Sequence, residues 1–320
     1  MALGGARGRS SGTRNFPGGY VTAARAKQFP PGRRVHPRAV RREPTGRREN
    51  ADTLDDEKIQ AFAAEIGFSE TTFVEGRSAD GWDVRIFTPE TGIPFAGHPT
   101  IGTARVVREH VAEGRPDRVV LDLDVGEVPV EVRERDGRDA LWMTQQPPEF
   151  GPELPRAALA DVLSVDVAAL DAGSPVQIVS TGLPTIVVPL ASRAALTGIE
   201  LDRDAYRAVT GDREAKNVLA FCRDPRSDDN DLTARVFAPF DGVPEDPATG
   251  SSNGCLAAYL VRHRVLGAGG IDVRVEQGHG MGRPSLLQLR ARATDGGIRV
   301  EEGGSVVPVA GGTLADDDGS

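Results

Sequence analysis

Cysteine is nearly missing from this chain. Only Cys222 and Cys255 occur, far apart and in no Cys-x-x-Cys arrangement, which argues against a disulfide framework and a zinc finger and makes a reducing compartment the default. Lysine is scarce beside abundant arginine, as a GC-rich coding sequence would give. No apolar run approaches a membrane span, and the first thirty residues hold no signal-peptide core, so a soluble cytoplasmic protein without a membrane partner is expected. There is no Gly-x-Gly-x-x-Gly, no phosphate-binding Gly-Lys-Ser/Thr loop and no His-Glu-x-x-His, and the five histidines are too scattered to suggest a metal site. No cofactor is expected.

What is present is unevenly divided. The net charge of −9 conceals a basic arm, residues 1–50, with twelve Lys+Arg against two Asp+Glu, a balance of +10; the remaining residues hold 26 against 45, a balance of −19. The acidic remainder argues against a nucleic-acid partner. The arm has no sustained period of 2 or 3.6 and is rich in Arg, Gly and Pro, the composition of a disordered segment. At 320 residues the chain can fill two domains, each with its own core.

Two stretches 150 residues apart repeat one another. Arg85-Ile-Phe-Thr-Pro89-Glu-Thr-Gly92-Ile-Pro94 and Arg235-Val-Phe-Ala-Pro239-Phe-Asp-Gly242-Val-Pro244 share Arg, Phe, Pro, Gly and Pro in register. Each runs from an alternating strand-like segment through a Pro/Gly turn into a small-residue loop, and then into an apolar helical pattern. A duplicated unit follows, with two loop-to-helix junctions facing each other across a pseudo-twofold axis.

Periodicity supplies the other elements. A helix is predicted over 54–67, with Ile59, Phe62, Ala63 and Ile66 on one face, Asp55 and Asp56 at its start and Gly67 at its end. Strands are predicted at 71–74, 82–87, 118–125, 128–133 and 140–144, with a helix over about 100–113. Pro147 to Pro155 reads as a linker between lobes spanning 51–146 and 147–310, and residues 311–320 as a frayed acidic tail. The second lobe shows a helix over 157–163, strands at 177–180, 185–189, 217–222 and 232–237, a helix over 252–266, and closing strands at 273–276, 286–291 and 298–301. Many strands with one principal helix per half predict an α+β fold in which a curved, mostly antiparallel sheet wraps a helix.

Three titratable residues stand at informative places. Glu70 lies between a helix end and a strand, His98 at the first loop-to-helix junction, and Asp246 at the matching second junction. Taken singly, each has an ordinary reading as a solvated turn acid, a capping histidine and a turn former. Taken together they have another. Gly97 and His98, with Thr249, Gly250 and Ser251, stand where a helix leaves backbone N–H groups unpaired, so both junctions can hold a substrate carboxylate. Glu70 and Asp246 would then be acid–base groups beside a held anion, as needed to move a proton on carbon.

The segments SETTF at 69–73, RIFTPETGIPFAGHPTIGTA at 85–104 and EDPATGSSNGCLAAYL at 245–260 resemble the phenazine-biosynthesis PhzF-like family, relatives of diaminopimelate epimerase. The resemblance covers about residues 54 to 310. It implies two pseudo-symmetric lobes, a site in the cleft between them, a homodimer, and cofactor-independent isomerisation of a small carboxylate such as trans-2,3-dihydro-3-hydroxyanthranilate. It further implies Glu70 as the principal proton shuttle, His98 and Asp246 as its assistants, and Gly97, Gly250 and Ser251 in substrate-binding loops. The epimerase relatives use a cysteine in each loop, and this sequence has none there. An amino-acid epimerase or racemase is thus a second reading, and a non-catalytic metabolite-binding protein a third.

The family begins with a strand and loop that residues 1–50 do not spell. Back-translated with permitted GC-rich codons and reread one nucleotide later, residues 32–48 become VDAFTREPCGGNPRAV, which does resemble that start. The arm is therefore expected to be a frame-shifted beginning restored near Asn50. Resequencing the gene across these codons tests this, and an uninterrupted frame agreeing with residues 1–50, together with a packed first strand, would refute it.

Overall fold

The computed structural model describes residues 20–22 and 56–306, apart from 69, 79, 136 and 268. The expected disorder of the arm and fraying of the tail therefore fall almost wholly outside the described residues. Within the arm, β1 (Tyr20–Thr22) is an exception to the predicted disorder, because it pairs antiparallel with β2 (Thr71–Arg77).

The first half continues with α1 (Asp56–Ile66), then β3 (Trp82–Phe87), β4 (Gly92–Ile93), α2 (Gly97–Val106), β5 (Arg118–Leu123), β6 (Gly126–Arg135) and β7 (Arg138–Thr144). The second half holds β8 (Glu149–Glu153), α3 (Arg156–Leu163), β9 (Gln177–Ser180), β10 (Thr185–Pro189), α4 (Arg193–Thr197), α5 (Arg203–Thr210) and β11 (Asn217–Cys222). It closes with β12 (Leu232–Ala238), β13 (Val243–Asp246), α6 (Gly250–Arg262), β14 (Gly270–Gln277), β15 (Ser285–Thr294) and β16 (Gly297–Gly304). The predicted α+β class holds, with neighbouring strands mostly antiparallel.

The strands join in the order β1-β2-β3-β5-β6-β7-β16-β15-β14-β12-β11-β10-β9-β8. The two halves are built alike around the seam where β7 meets β16. In the first, β3 pairs with β4 and runs parallel to β5, with α2 in the crossover; in the second, β12 pairs with β13 and runs parallel to β14, with α6 in the crossover. Parallel neighbours need such a crossover, and a helix is its usual content. At the seam, antiparallel pairing sets Glu302 opposite Met143 and Gly303 opposite Trp142.

Each curved sheet wraps its crossover helix. Around α2 pack Val74, Val84, Ile86, Leu121, Val130 and Met143. Around α6 pack Leu219, Phe221, Val236, Val275, Leu289 and Val300. From Gly250 to Val261 every residue of α6 is buried, so it has no solvent face and no amphipathic stripe. The small residues in GSSNGCLAA let the sheet close on it from all sides. On the other face of the second sheet, α3, α4 and α5 cover Ile186, Val188, Val218 and Ala220. Beneath the first, α1 places Ile59 and Ala63 against Phe73 and Phe87, whose rings meet edge-on at 5.7 Å.

Several boundaries differ from those predicted. The linker at Pro147–Pro155 contains β8, which pairs with β9; a strand with one partner keeps one row of backbone groups outward and so tolerates its proline. The helix predicted from residue 100 begins at Gly97 and ends in a wider π-turn over Val107–Val111. The helix predicted over 252–266 runs Gly250–Arg262, because Arg264 turns left-handed at φ 50°. The short α4 and α5 escaped prediction. Each is opened by a side chain, Ser192 accepting from the Ala195 N–H and Asp202 from those of Asp204 and Ala205.

Gly254 shows how closely α6 is held. A methyl there would stand 1.8 Å from Gln145 Oε1, and Gln145 is fixed because its Nε2 donates to the Gly250 carbonyl at 3.1 Å while its Oε1 accepts from Thr181. Gly254→Ala should therefore lose about 1–3 kcal/mol of stability to overpacking. The better helix propensity of alanine, worth about 1 kcal/mol, offsets only part of that. Urea denaturation checks this, and a variant as stable as the parent would contradict the packing described.

Candidate active site

The two loop-to-helix junctions meet. A Cβ on Gly97 would lie 2.7 Å from Gly250 Cα and 2.8 Å from Ser251 N, so the first turns of α2 and α6 touch backbone to backbone. Neither helix is capped by the side chain of its N-cap residue, Ala96 or Thr249. Two sets of first-turn N–H groups, and two positive helix ends, therefore converge on one place. Pro99 is tolerated in the first turn of α2 because its missing N–H would have had no intrahelical partner.

His98 and Glu70 come together at this place. His98 Nε2 stands 3.3 Å from Glu70 Oε2, and the two side chains are only 14% and 17% exposed, which leaves them sheltered yet reachable. Glu70 precedes β2, and His98 is carried by the first turn of α2. The surrounding frame is rigid, since Thr103 Oγ1 donates to the Pro99 carbonyl at 2.7 Å and also bonds the Thr72 hydroxyl of β2 at 2.7 Å.

Asp246 ends β13 just before α6 and is buried. Its Oδ2 accepts from Thr249 Oγ1 at 2.5 Å, while Oδ1 is buried without a hydrogen-bond partner. Gln277 braces this turn. Its Nε2 donates to the Asp246 carbonyl at 2.7 Å and to Thr249 Oγ1 at 3.1 Å, and its Oε1 accepts from Asn253 Nδ2 at 2.8 Å. Thr249, Gly250 and Ser251 thus sit where expected, at the entry to α6.

Sequence reasoning missed Glu302. This carboxyl, on β16, is 2% exposed, and a Cβ on Gly250 would lie 2.5 Å from its Oε2 and 2.8 Å from its Oε1. Oε2 has no hydrogen-bond partner. Burial pushes its pKa up to about 7, against the opposing pull of His98 and Gln145. A signal was available, because strand alternation from the inward Val300 places residue 302 on the same face. Gln145 and Gln277, the braces of the two sides, carried no such signal.

The cysteines stay apart from the junctions. Cys255 is wholly buried inside α6, where its Sγ faces the Leu183 carbonyl at 3.5 Å and burial raises the thiol. Cys222 is buried on β11. Among the described residues no group of three or more His, Cys, Asp and Glu could hold a metal ion, and no helix is long and apolar enough to cross a membrane.

The family described as phenazine biosynthesis-like protein matches residues 44–314. A trans-2,3-dihydro-3-hydroxyanthranilate isomerase of Pseudomonas aeruginosa is 35% identical over 267 residues, covering 83% of this chain and 88% of that protein. An uncharacterized isomerase of Deinococcus radiodurans is 32% identical over 261 residues, covering 79% of this chain and 82% of that protein. A Bacillus anthracis phenazine biosynthesis protein of the PhzF family shares the fold with a TM-score of 0.74 at 22% identity, over 80% of this chain and 88% of that one.

Glu302 gives a pH-dependent stability with a definite sign. Its folded-state pKa lies above the ordinary 4.5, so the folded chain keeps a proton that the unfolded chain releases, and stability falls as pH rises from 4.5 to about 7 and stays low above. The gap corresponds to on the order of 3 kcal/mol. Glu302→Gln should match the parent in stability at pH 4 and exceed it at pH 8. Denaturation at the two pH values checks this, and a variant weaker than the parent at pH 8 would contradict it.

Proposed function

We propose that this chain, which belongs to the phenazine biosynthesis-like protein family and is an isomerase, moves a proton between carbons of a small carboxylate substrate by general acid–base catalysis without a cofactor. The observation that carries the reading is the meeting of the α2 and α6 N-termini beside the Glu70–His98 pair. The substrate class is taken from the Pseudomonas aeruginosa relative, whose name gives trans-2,3-dihydro-3-hydroxyanthranilate. A homodimer in the cytoplasm, and an origin of the two halves by duplication, belong to the same reading.

In this mechanism the substrate carboxylate rests on backbone N–H groups of Gly97, Gly250 and Ser251, with Thr249 holding the turn. Donors fixed in a sheltered place stabilise negative charge without having to reorganise as it develops. Glu70 as carboxylate takes a proton from a substrate C–H bond, and the electron pair of that bond moves into the adjoining π system. The resulting Glu70 carboxylic acid returns the proton to a different carbon of the same system, so the group ends as it began. His98 orients Glu70 and steadies its charge, and Asp246 places the second half of the substrate through Oδ1, which has no hydrogen-bond partner among the described residues. The two-thiol racemase reading loses support because Cys255 is enclosed in α6 and Cys222 lies on a strand. A purely binding role would leave the acid–base pair without work.

Glu70→Gln keeps size and polarity but cannot accept a proton, so turnover should fall by about 10²–10⁴-fold with substrate binding little changed. His98→Ala and Asp246→Asn should also lower turnover. Turnover of trans-2,3-dihydro-3-hydroxyanthranilate and deuterium uptake from heavy water read this. If Glu70→Gln kept both while Asp246→Asn abolished both, the base would be Asp246.

A further inference from the structure

The mechanism uses Glu70 and Asp246 and leaves Glu302, the deepest of these carboxyls, without a role. We propose that Glu302 is a positioning residue for the substrate anion: pressed against Gly250 at the entry to α6, its carboxyl must be protonated for a carboxylate to settle on the helix ends, and its ionised form excludes that carboxylate. The proposal rests on the reading that those ends hold a carboxylate.

Three observations lead there. Both carboxyl oxygens approach Gly250 so closely that a Cβ there would stand 2.5 and 2.8 Å from them. The residue is 2% exposed, so water cannot screen it, and Oε2 has no hydrogen-bond partner. Two carboxylates crowded onto one site cannot both be ionised. An ionised Glu302 would itself occupy the positive field of α6, whereas a protonated one leaves that field to the ligand and can donate its O–H to the ligand carboxylate.

The surroundings add few competing charges. From α2 comes His98, tied to Glu70; from the end of β7 comes neutral Gln145; from α6 comes Gly250. Asp246 lies ahead of α6 with its Oδ2 bound to Thr249. In register, Met143 of β7 and Leu289 of β15 flank Glu302. The adjacent Glu301 engages Arg133 and Arg299, and strand alternation turns it to the other face. The upward pull of burial brings Glu302 to about 7, so the exchange falls near neutral pH.

Calorimetric binding of 3-hydroxyanthranilate, a planar analogue that keeps the carboxylate, to the full chain between pH 6 and 9 tests the proposal. Affinity should be level below about 7 and weaken about tenfold per pH unit above it, since binding then requires one proton. Buffers of different ionisation enthalpy should report uptake of close to one proton per ligand at pH 8, a readout that needs no variant. Glu302→Gln should bind with equal affinity at pH 6 and 8, and the uncharged amide of the probe should show no slope with either protein. A level profile in the parent, or a slope that persists in Glu302→Gln, would overturn the proposal. If the analogue fails to bind but benzoate binds with the same proton uptake, the hydroxyanthranilate substrate class fails and the role of Glu302 stands. If neither carboxylate binds at any pH, the role of Glu302 is refuted, while turnover of the dihydro compound judges the isomerase reading separately.

Discussion

Two helices can touch end to end here because Gly97 presents no side chain to Gly250, and the rest of the site depends on that approach. A single methyl on Gly97 would meet Gly250 Cα at 2.7 Å, and any retreat would separate the two sets of N–H donors. The approach has an electrostatic cost, since each helix N-terminus carries roughly half a positive charge and like ends repel. Carboxyls gather around it in consequence. Glu70, Asp246 and Glu302 reach the junctions from three different strands or strand ends, and a substrate anion would join them in the same field.

The frame that brings the helix ends together is built twice. Arg85 Nε donates to Glu75 at 2.8 Å, and its guanidinium lies 5.7 Å from the Phe87 ring. Arg235 Nε donates to Glu245 at 3.0 Å, and its guanidinium lies 4.9 Å from the Phe237 ring. The Arg and Phe of the repeated motif thus do the same mechanical work in both halves, fixing the strand that leads into each junction. Their acidic partners do not correspond in position. Glu75 comes from β2, whereas Glu245 comes from β13.

That difference marks what could be read from residues alone. The repeat, the strand–loop–helix order and the small residues of the junctions were legible because they are local patterns with fixed spacing. Their meeting was foreseeable only through the symmetry the repeat suggested. Glu302 went unnoticed because an acid in a closing strand normally faces water, and its burial is decided by β7, β15 and α6 together. The segment at Pro147–Pro155 was read as a linker on its prolines, although backbone pairing with β9 overrides that composition. The helix ends moved for similar reasons, since Gly97 and Gly250 weaken a helix on intrinsic propensity and tertiary contact places them inside one.

The β7–β16 seam also orders events in time. The sheet around α2 ends at β7, and the neighbour of β7 on its far side is a strand more than 150 residues further along the chain, pairing Gly304 with Leu141. A ribosome adding about 5–20 residues per second therefore leaves that edge unpaired for on the order of ten seconds, with its hydrogen-bonding groups open to other chains. Closure of so long a loop is intrinsically slow. The strand that ends this exposure is the one that carries Glu302, so the nascent chain loses its open edge and gains its deepest acid in the same step.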